Sequence, residues 1–257
     1  MKVGIDVSFL ESAHQYRGVG SYTENLIREL QSIKNPNFTL QLIKSGKITT
    51  DCDLIHYPHF DLFFLTLPLH KFKPVVVTIH DVIPLVFPNW YPSGFRGFLK
   101  FQIQKLSLRG VKAVIADSEN SKRDIVKYLG YPAEKIHVVY LAPAKNFQRL
   151  TKDPSAGGWE QEIKRKYGFP EKFVLYVGDV NYNKNIPGLI RAFFRVQQEI
   201  GSQESGLVLA GKAFKDDDLL ETKQAIQLIK DFKLDGKVFR LGWIPQEDLI
   251  KIYNLAT

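Results

Sequence analysis

The sequence predicts an α/β protein of two doubly wound parallel sheets, the second of them incomplete. Three observations lead to this class. Apolar, β-branched runs alternate with helix-like segments along the chain. Several of the runs are continuous over three or more apolar residues, as in PVVV, AVIA and LVLA, like parallel strands buried on both faces. One polar stretch rich in Pro, Gly and Ser interrupts the alternation, which then restarts. At 257 residues the chain has room for one large domain or two of ordinary size.

In the first half the strand candidates are Lys2–Ser8 (KVGIDVS), Phe38–Ile43 (FTLQLI), Asp53–Tyr57 (DLIHY), Pro74–His80 (PVVVTIH), Lys112–Ser118 (KAVIADS) and Ile136–Ala142 (IHVVYLA). Their branched side chains suit a pleated, packed surface. Helix candidates lie between them. Ser21–Ile33 opens with Ser21 and Glu24 in the S-x-x-E capping pattern. Gly94–Leu108 follows, and then Asn120–Leu129, which Ser118 or Ser121 can cap and Gly130 with Pro132 can end. Residues 148–159 (QRLTKDPSAGGW) read as a linker, giving domains 1–147 and 160–257. After it come strands Glu171–Gly178, Gly206–Gly211 and Lys237–Ile244, with helices from about Ile186, near Leu219–Phe232 and over PQEDLIKIYNLAT. Three strands are few for an open parallel sheet, so the sequence is expected to stop inside its second domain.

Composition narrows the class. With 44% hydrophobic and 24% charged residues the chain is globular. No apolar run approaches the ~18 residues that a membrane span needs. The N-terminus lacks the apolar core and cleavage site of a signal peptide. Cys52 is the one cysteine, which rules out an internal disulfide and a cysteine-based zinc site and favours a cytoplasmic setting. Residues 1–150 carry 19 Lys and Arg against 12 Asp and Glu, and the remainder 16 against 15. The first half therefore prefers an anionic neighbour. A nucleic-acid partner is not expected: no recognised motif is present and the charge forms no stripe.

In doubly wound sheets ligands bind where strand ends lead into helix N-termini. Four such loops are unusual. In YRGVGSYTENLIREL, Gly18 and Gly20 precede a helix, where a phosphate can approach free backbone N–H groups. Thr23 stands where a dinucleotide fingerprint needs its third glycine. In VVVTIHDVIPLVFP, His80 and Asp81 end a strand; neighbours on a strand point to opposite faces, so the two are not expected to pair. ADSENSKRDIVKYLGYP offers Ser118 as a cap and as a ligand group. In YVGDVNYNKNIPGLIRAF, Asn185 can cap a helix with Pro187 in its first turn. Lys184 then stands at the positive end of that helix, where an anion would relieve the repulsion, while Asp179 in the same turn works against one.

Taken in series, GVGSYTENLIREL, TIHD, ADSENSKRDIVKYLGYPAEKIHVVY, YVGDVNYNKNIPGLIRAF, LVLAGK and VFRLGWIPQEDLIKIYNLA resemble the retaining glycosyltransferases of family 4, in their order and spacing. The resemblance implies the GT-B architecture: two Rossmann-like doubly wound domains facing across a cleft, the second incomplete here. It implies transfer of a sugar, mannose or similar, from a GDP- or UDP-linked donor to a glycan or lipid-linked acceptor. Configuration would be retained, with no metal and no further cofactor. Lys184 would contact the donor phosphates and, with His80, form the catalytic pair. Asp179, Asn183, Gly211, Lys212, Trp243 and Ile244 would line the donor site. Gly18, Gly20, His80 and Ser118 would serve from the opposite domain. Many relatives carry an arginine where Asp179 stands; a mannosyl- and rhamnosyltransferase-like branch does not. The family's two glutamates separated by seven residues would follow Thr257, so the fragment is expected to be inactive alone. A non-catalytic nucleotide-sugar binder and a GT-B epimerase are the alternatives, with a basic nucleic-acid binder behind them.

Residues 89–110 mix Trp90, Tyr91, Phe95, Phe98 and Phe101 with Arg96, Lys100, Lys105 and Arg109. Two readings are open: aromatics in the core with solvated charges, or a basic-aromatic helix peripheral to an anionic membrane face.

Overall fold

The computed structural model describes residues 1–11, 18–33, 35–44, 51–151, 158–200 and 205–257. It divides into two compact units, Met1–Ala142 and Pro143–Thr257.

The first unit is a six-stranded sheet with helices between the strands. Its elements are β1 (Lys2–Asp6), α1 (Gly18–Ser32), β2 (Thr39–Ile43), β3 (Leu54–Tyr57), β4 (Val75–Ile79), the short α2 (Ile83–Val86), α3 (Gly94–Leu108), β5 (Ala113–Ala116), α4 (Glu119–Asp124, continued as a wider π-type turn to Leu129) and β6 (Ile136–Val138). The strand order is β2-β1-β3-β4-β5-β6 and every pairing is parallel. Sheet growth reverses direction between β1 and β3, the place where such sheets bind ligands. Val3 and Ile5 of β1 pack with Ile27 and Leu30 of α1. Val75, Val77 and Ile79 of β4 pack with Leu108, Val114, Ile125 and Leu129.

The second unit holds α5 (Trp159–Tyr167), β7 (Lys172–Val177), α6 (Ile186–Ile200), β8 (Ser205–Ala210), α7 (Leu220–Asp231), β9 (Val238–Leu241) and α8 (Gln246–Leu255). Its three strands are parallel in the order β7-β8-β9. Side chains of β8 alternate between two cores. Leu207 and Leu209 join Ile186, Ile190, Ala225 and Ile229 of α6 and α7. Val208 and Ala210 join Ile163 of α5 and Ile252 of α8. The sheet is therefore covered on both faces, as its continuous apolar strands require.

Three boundaries differ from the sequence reading. α1 begins at Gly18, so Ser21 and Glu24 lie inside its first turns and form no capping box at its start. α5 falls partly in the expected linker; it is highly charged, buries only Ile163, and so gives a weak apolar period. The division between units falls after Ala142, earlier than residue 147. The expected linker also begins as packed chain. Leu150 N–H donates to Asn254 Oδ1 at 2.8 Å, Asn254 Nδ2 donates to the Gln148 carbonyl at 3.0 Å, and Phe147 meets the Tyr253 ring edge-on. Residues 152–157 of that linker lie outside the described chain.

Candidate active site

In the first unit, β4 and β5 run in register, Ile79 beside Ala116. The next residues, His80 and Asp117, are thereby set side by side. His80 Nδ1 lies 2.6 Å from Asp117 Oδ2, and His80 Nε2 lies 3.1 Å from the Pro58 carbonyl. Both partners are acceptors, whereas a neutral imidazole has one N–H to give. Tyr22 from α1 packs edge-on against it. Asp117 Oδ1 is buried and has no hydrogen-bond partner among the described residues. Asp81 turns away, as its position on the strand predicts, and accepts from the Ile83 N–H.

Ser118 caps α4 by accepting from the Ser121 N–H at 3.0 Å, and Ser121 Oγ donates to the His80 carbonyl at 2.9 Å. Helix start and histidine are thus fixed to one another. Beneath them Thr78 Oγ1 is shared by His56 Nε2 at 2.8 Å and Tyr22 OH at 3.3 Å. Burial, and then the charge of His80, push the His56 ring down to about 4, so it is neutral. At the switch point, burial raises the Asp6 carboxyl, which accepts from Ser8 Oγ. Burial and then the charge of Asp6 push Tyr57 up to about 12.

Gly18 is exposed at the start of α1 and Gly20 is buried two residues on. His80, expected in the catalytic pair, has both ring nitrogens engaged, by Asp117 and by the Pro58 carbonyl, which a ligand would have to displace to reach Nε2. Asp117, Asp6 and Tyr57 were missed. The available signal was register: two neighbouring strands each end in a polar residue at the same height.

In the second unit, Gly178, Gly211 and Gly242 follow β7, β8 and β9 and bond in sequence. Gly178 N–H donates to Ala210 O at 2.9 Å and Gly211 N–H to Gly242 O at 3.2 Å. A side chain at Gly211 would sit 2.0 Å from the Gly178 carbonyl oxygen. Asp179 is turned onto its own loop: Oδ1 accepts from the Val180 N–H at 2.8 Å and Oδ2 from Asn181 Nδ2 at 3.4 Å. Tyr176 OH holds its carbonyl. The carboxylate is thus a turn-former. Tyr182–Lys184 forms one tight turn, and Asn185, at φ +50°, accepts from the Gly188 N–H and so caps α6. Lys184 and Lys212 are exposed at the ends of β7 and β8 and form no ion pair among the described residues. Asn183 lies in the same turn, partly buried. Trp243 is 67% exposed after β9. Ile244 is corrected: it is 8% exposed and packs in the α5/α8 core, so its side chain is not offered to a ligand.

Each unit therefore presents its loop-borne polar groups at the C-terminal strand ends. The glycosyltransferase family 4 model matches residues 11–142, and the glycosyl transferases group 1 model matches residues 160–257. The chain belongs to glycosyltransferase family 4. Among family relatives, it is 26% identical over 204 residues to the O-antigen chain mannosyltransferase B of Escherichia coli, covering 79% of this chain and 49% of that one. It is 26% identical over 201 residues to a serotype-specific mannosyltransferase WbdA of the same organism, covering 77% and 24%. The chain thus spans about half the length of the first of these relatives, or less. The fold is shared with Anabaena Alr3699/HepE, solved with UDP-glucose, at 17% identity, TM-score 0.59 and 98% and 71% coverage. It is shared also with sucrose-phosphate synthase of Thermosynechococcus elongatus, at 13% identity, TM-score 0.65 and 100% and 74% coverage.

Proposed function

We propose that the chain carries the nucleotide-sugar and acceptor loops of a retaining, metal-independent hexosyltransferase. The donor is a GDP- or UDP-linked sugar of the mannose type, with no other cofactor, and the acceptor a glycan or lipid-linked saccharide. The observation that carries this reading is a pair of exposed cations after adjacent strands, without an ion pair among the described residues: Lys184 in the turn ahead of the capped α6 and Lys212 in the turn after β8. A diphosphate is the ligand that uses two lysines as point charges there. In the reaction the bond between the sugar's anomeric carbon and the phosphate oxygen breaks. The acceptor oxygen bonds to that carbon on the same face, and its hydroxyl proton passes to the leaving phosphate. The protein's contribution is then electrostatic, with Lys184 stabilising charge that grows on the departing oxygen. In the first unit Asp117 Oδ1, buried and without a partner among the described residues, is the acceptor atom offered to a sugar hydroxyl.

The test is calorimetric titration of this chain with GDP, UDP and their mannose and glucose conjugates. Binding of a nucleoside diphosphate, weakened about tenfold or more by Lys184→Ala and unchanged by Lys230→Ala in the last turn of α7, supports the reading. Unchanged affinity in Lys184→Ala overturns it. Release of an epimerised sugar without a transfer product would identify an epimerase.

A further inference from the structure

The tight turn after β8, Lys212–Lys215, is pinned by its interior and charged at both ends. Phe214 is 0% exposed and meets the Tyr176 ring edge-on. Thr222 Oγ1 of α7 donates to the Ala213 carbonyl at 2.9 Å. Arg240 Nη1 of β9 donates to the Phe214 carbonyl at 3.0 Å and to Asp217 Oδ1 at 2.7 Å. These contacts fix which way the turn faces. In a 3₁₀ turn, side chains three residues apart eclipse one another. Lys212 and Lys215 are such a pair, and both are exposed.

The stem of Lys215 is placed as well. A Cβ added at Gly242 would lie 3.0 Å from Lys215 Cγ, so the stem lies against the end of β9, one residue before the exposed Trp243. Three acids follow in the sequence, and each has another partner. Asp216 Oδ1 accepts from the Asp218 N–H at 3.2 Å. The bond to Arg240, and then its charge, hold the Asp217 carboxyl below the ordinary 3.8, with Lys215 contributing less. Asp218 Oδ1 lies 4.0 Å from Lys223 Nζ. Lys215 forms no ion pair among the described residues. Two cations on one side of a turn repel, and an anion between them removes the repulsion.

We propose that Lys215 is a further ligand-binding residue: with Lys212 it grips the phosphate next to the nucleoside, while Lys184 holds the phosphate next to the sugar. The proposal rests on the diphosphate reading above. Its basis is the strand order β7-β8-β9. Lys184 follows the first strand, Lys212 the second, and the stem of Lys215 lies at the end of the third. Lys184 is the cation beside the departing oxygen, so the sugar lies toward β7. The nucleoside then lies toward β9, where Trp243 offers an aromatic face. An ammonium brings three rotatable donors on a flexible stem, which suits phosphate oxygens.

The test is calorimetric titration of this chain with GMP, UMP, GDP and UDP. The monophosphates carry the nucleoside-side phosphate alone. Lys215→Met keeps an apolar stem against Gly242 and removes the charge, and Lys215→Arg keeps the charge. Lys215→Met is expected to weaken mono- and diphosphates alike, by about tenfold or more, and Lys215→Arg to stay within about threefold of the parent. Lys184→Ala is expected to weaken the diphosphates and leave the monophosphates unchanged. A parent chain that binds no nucleoside phosphate overturns the proposal together with the reading it rests on. Diphosphate binding that falls in Lys184→Ala but not in Lys215→Met overturns the proposal alone. So does a parent chain that binds the diphosphates but no monophosphate. A Lys215→Met loss confined to the diphosphates does the same, since Lys215 would then hold the sugar-side phosphate. An equal loss in Lys215→Arg overturns it too, and assigns the effect to the fit of the side chain over Gly242.

Discussion

His80 Nδ1 and Asp117 Oδ2 lie 2.6 Å apart and join the ends of two neighbouring parallel strands. Few exposed atoms surround them: side-chain exposure is 18% for the histidine and 17% for the aspartate. Removing the carboxylate leaves a partly buried ring nitrogen without its acceptor, a loss of about 1–3 kcal/mol. Asp117→Ala is therefore expected to raise amide hydrogen exchange at the C-terminal ends of β4 and β5, where the pair holds the strands. Asp117→Asn, which can still accept from Nδ1–H, is expected to stay near the parent chain. Equal exchange in all three would mean that the pair does not brace the strand ends.

A second contact is between backbones. The Gly211 position faces the Gly178 carbonyl oxygen so closely that a Cβ would lie 2.0 Å from it. No rotamer relieves a clash with main chain, so the strand ends must separate. Gly211→Ala is expected to cost about 1–3 kcal/mol and to disturb the loop after β7 that carries Lys184. Gly236→Ala serves as a comparison: it has a left-handed φ of +76° and open space around it, so its cost is backbone strain alone. Thermal unfolding and nucleotide titration of both variants separate the two effects. Loss of nucleotide binding is expected in Gly211→Ala only.

Much of this arrangement is legible in the sequence, and the exceptions have physical causes. The strands were legible because parallel strands buried on both faces write themselves as unbroken apolar runs, as in PVVVTIH and GLVLAG. The cap at Asn185 was legible because capping is local chemistry. The pairing of His80 with Asp117 was not, since it depends on strand register between segments 37 residues apart. Ile244 and Trp243 are adjacent in sequence, and only the fold decides that one is core and the other exposed. The α3 face was also undecided, because periodicity fixes that a stripe exists without saying which side meets the sheet.

Asp248, in the first turn of α8, ties that helix to α5 by accepting from Lys166 Nζ at 2.7 Å and Tyr167 OH at 2.6 Å. The bond to Lys166, then that to Tyr167, holds its carboxyl below the ordinary 3.8. A depressed carboxylate contributes stability that is present above its unfolded value and fades as pH falls through the folded one. Asp248→Asn is therefore expected to destabilise the second unit at neutral pH. The gap from the parent should close as pH falls below about 4. Urea unfolding followed by tryptophan fluorescence at a series of pH values checks this. A gap that persists unchanged at low pH would mean that packing, not charge, is responsible.

His56 has the opposite chemistry. Its ring is 7% exposed and its value is lowered from 6.5 to about 4, by burial first and then by the charge of His80. The folded chain binds this proton less tightly than the unfolded chain does. Stability is therefore full above pH 6.5 and falls as the unfolded state takes up the proton, levelling off near pH 4, where the folded ring also protonates. Across that window the expected loss is on the order of 3 kcal/mol, at 1.36 kcal/mol per pH unit. His56→Gln keeps a polar partner for Thr78 but cannot titrate. It is expected to be flatter than the parent between pH 6.5 and 4, with the difference read from amide exchange in β3 and β4. A parallel decline in the two proteins would assign the acid sensitivity of the first unit to other groups, and Asp6 is not among them, since burial raises its carboxyl. A raised carboxyl lowers stability at high pH and cannot mimic a loss toward acid, so the sign of the slope distinguishes the two residues.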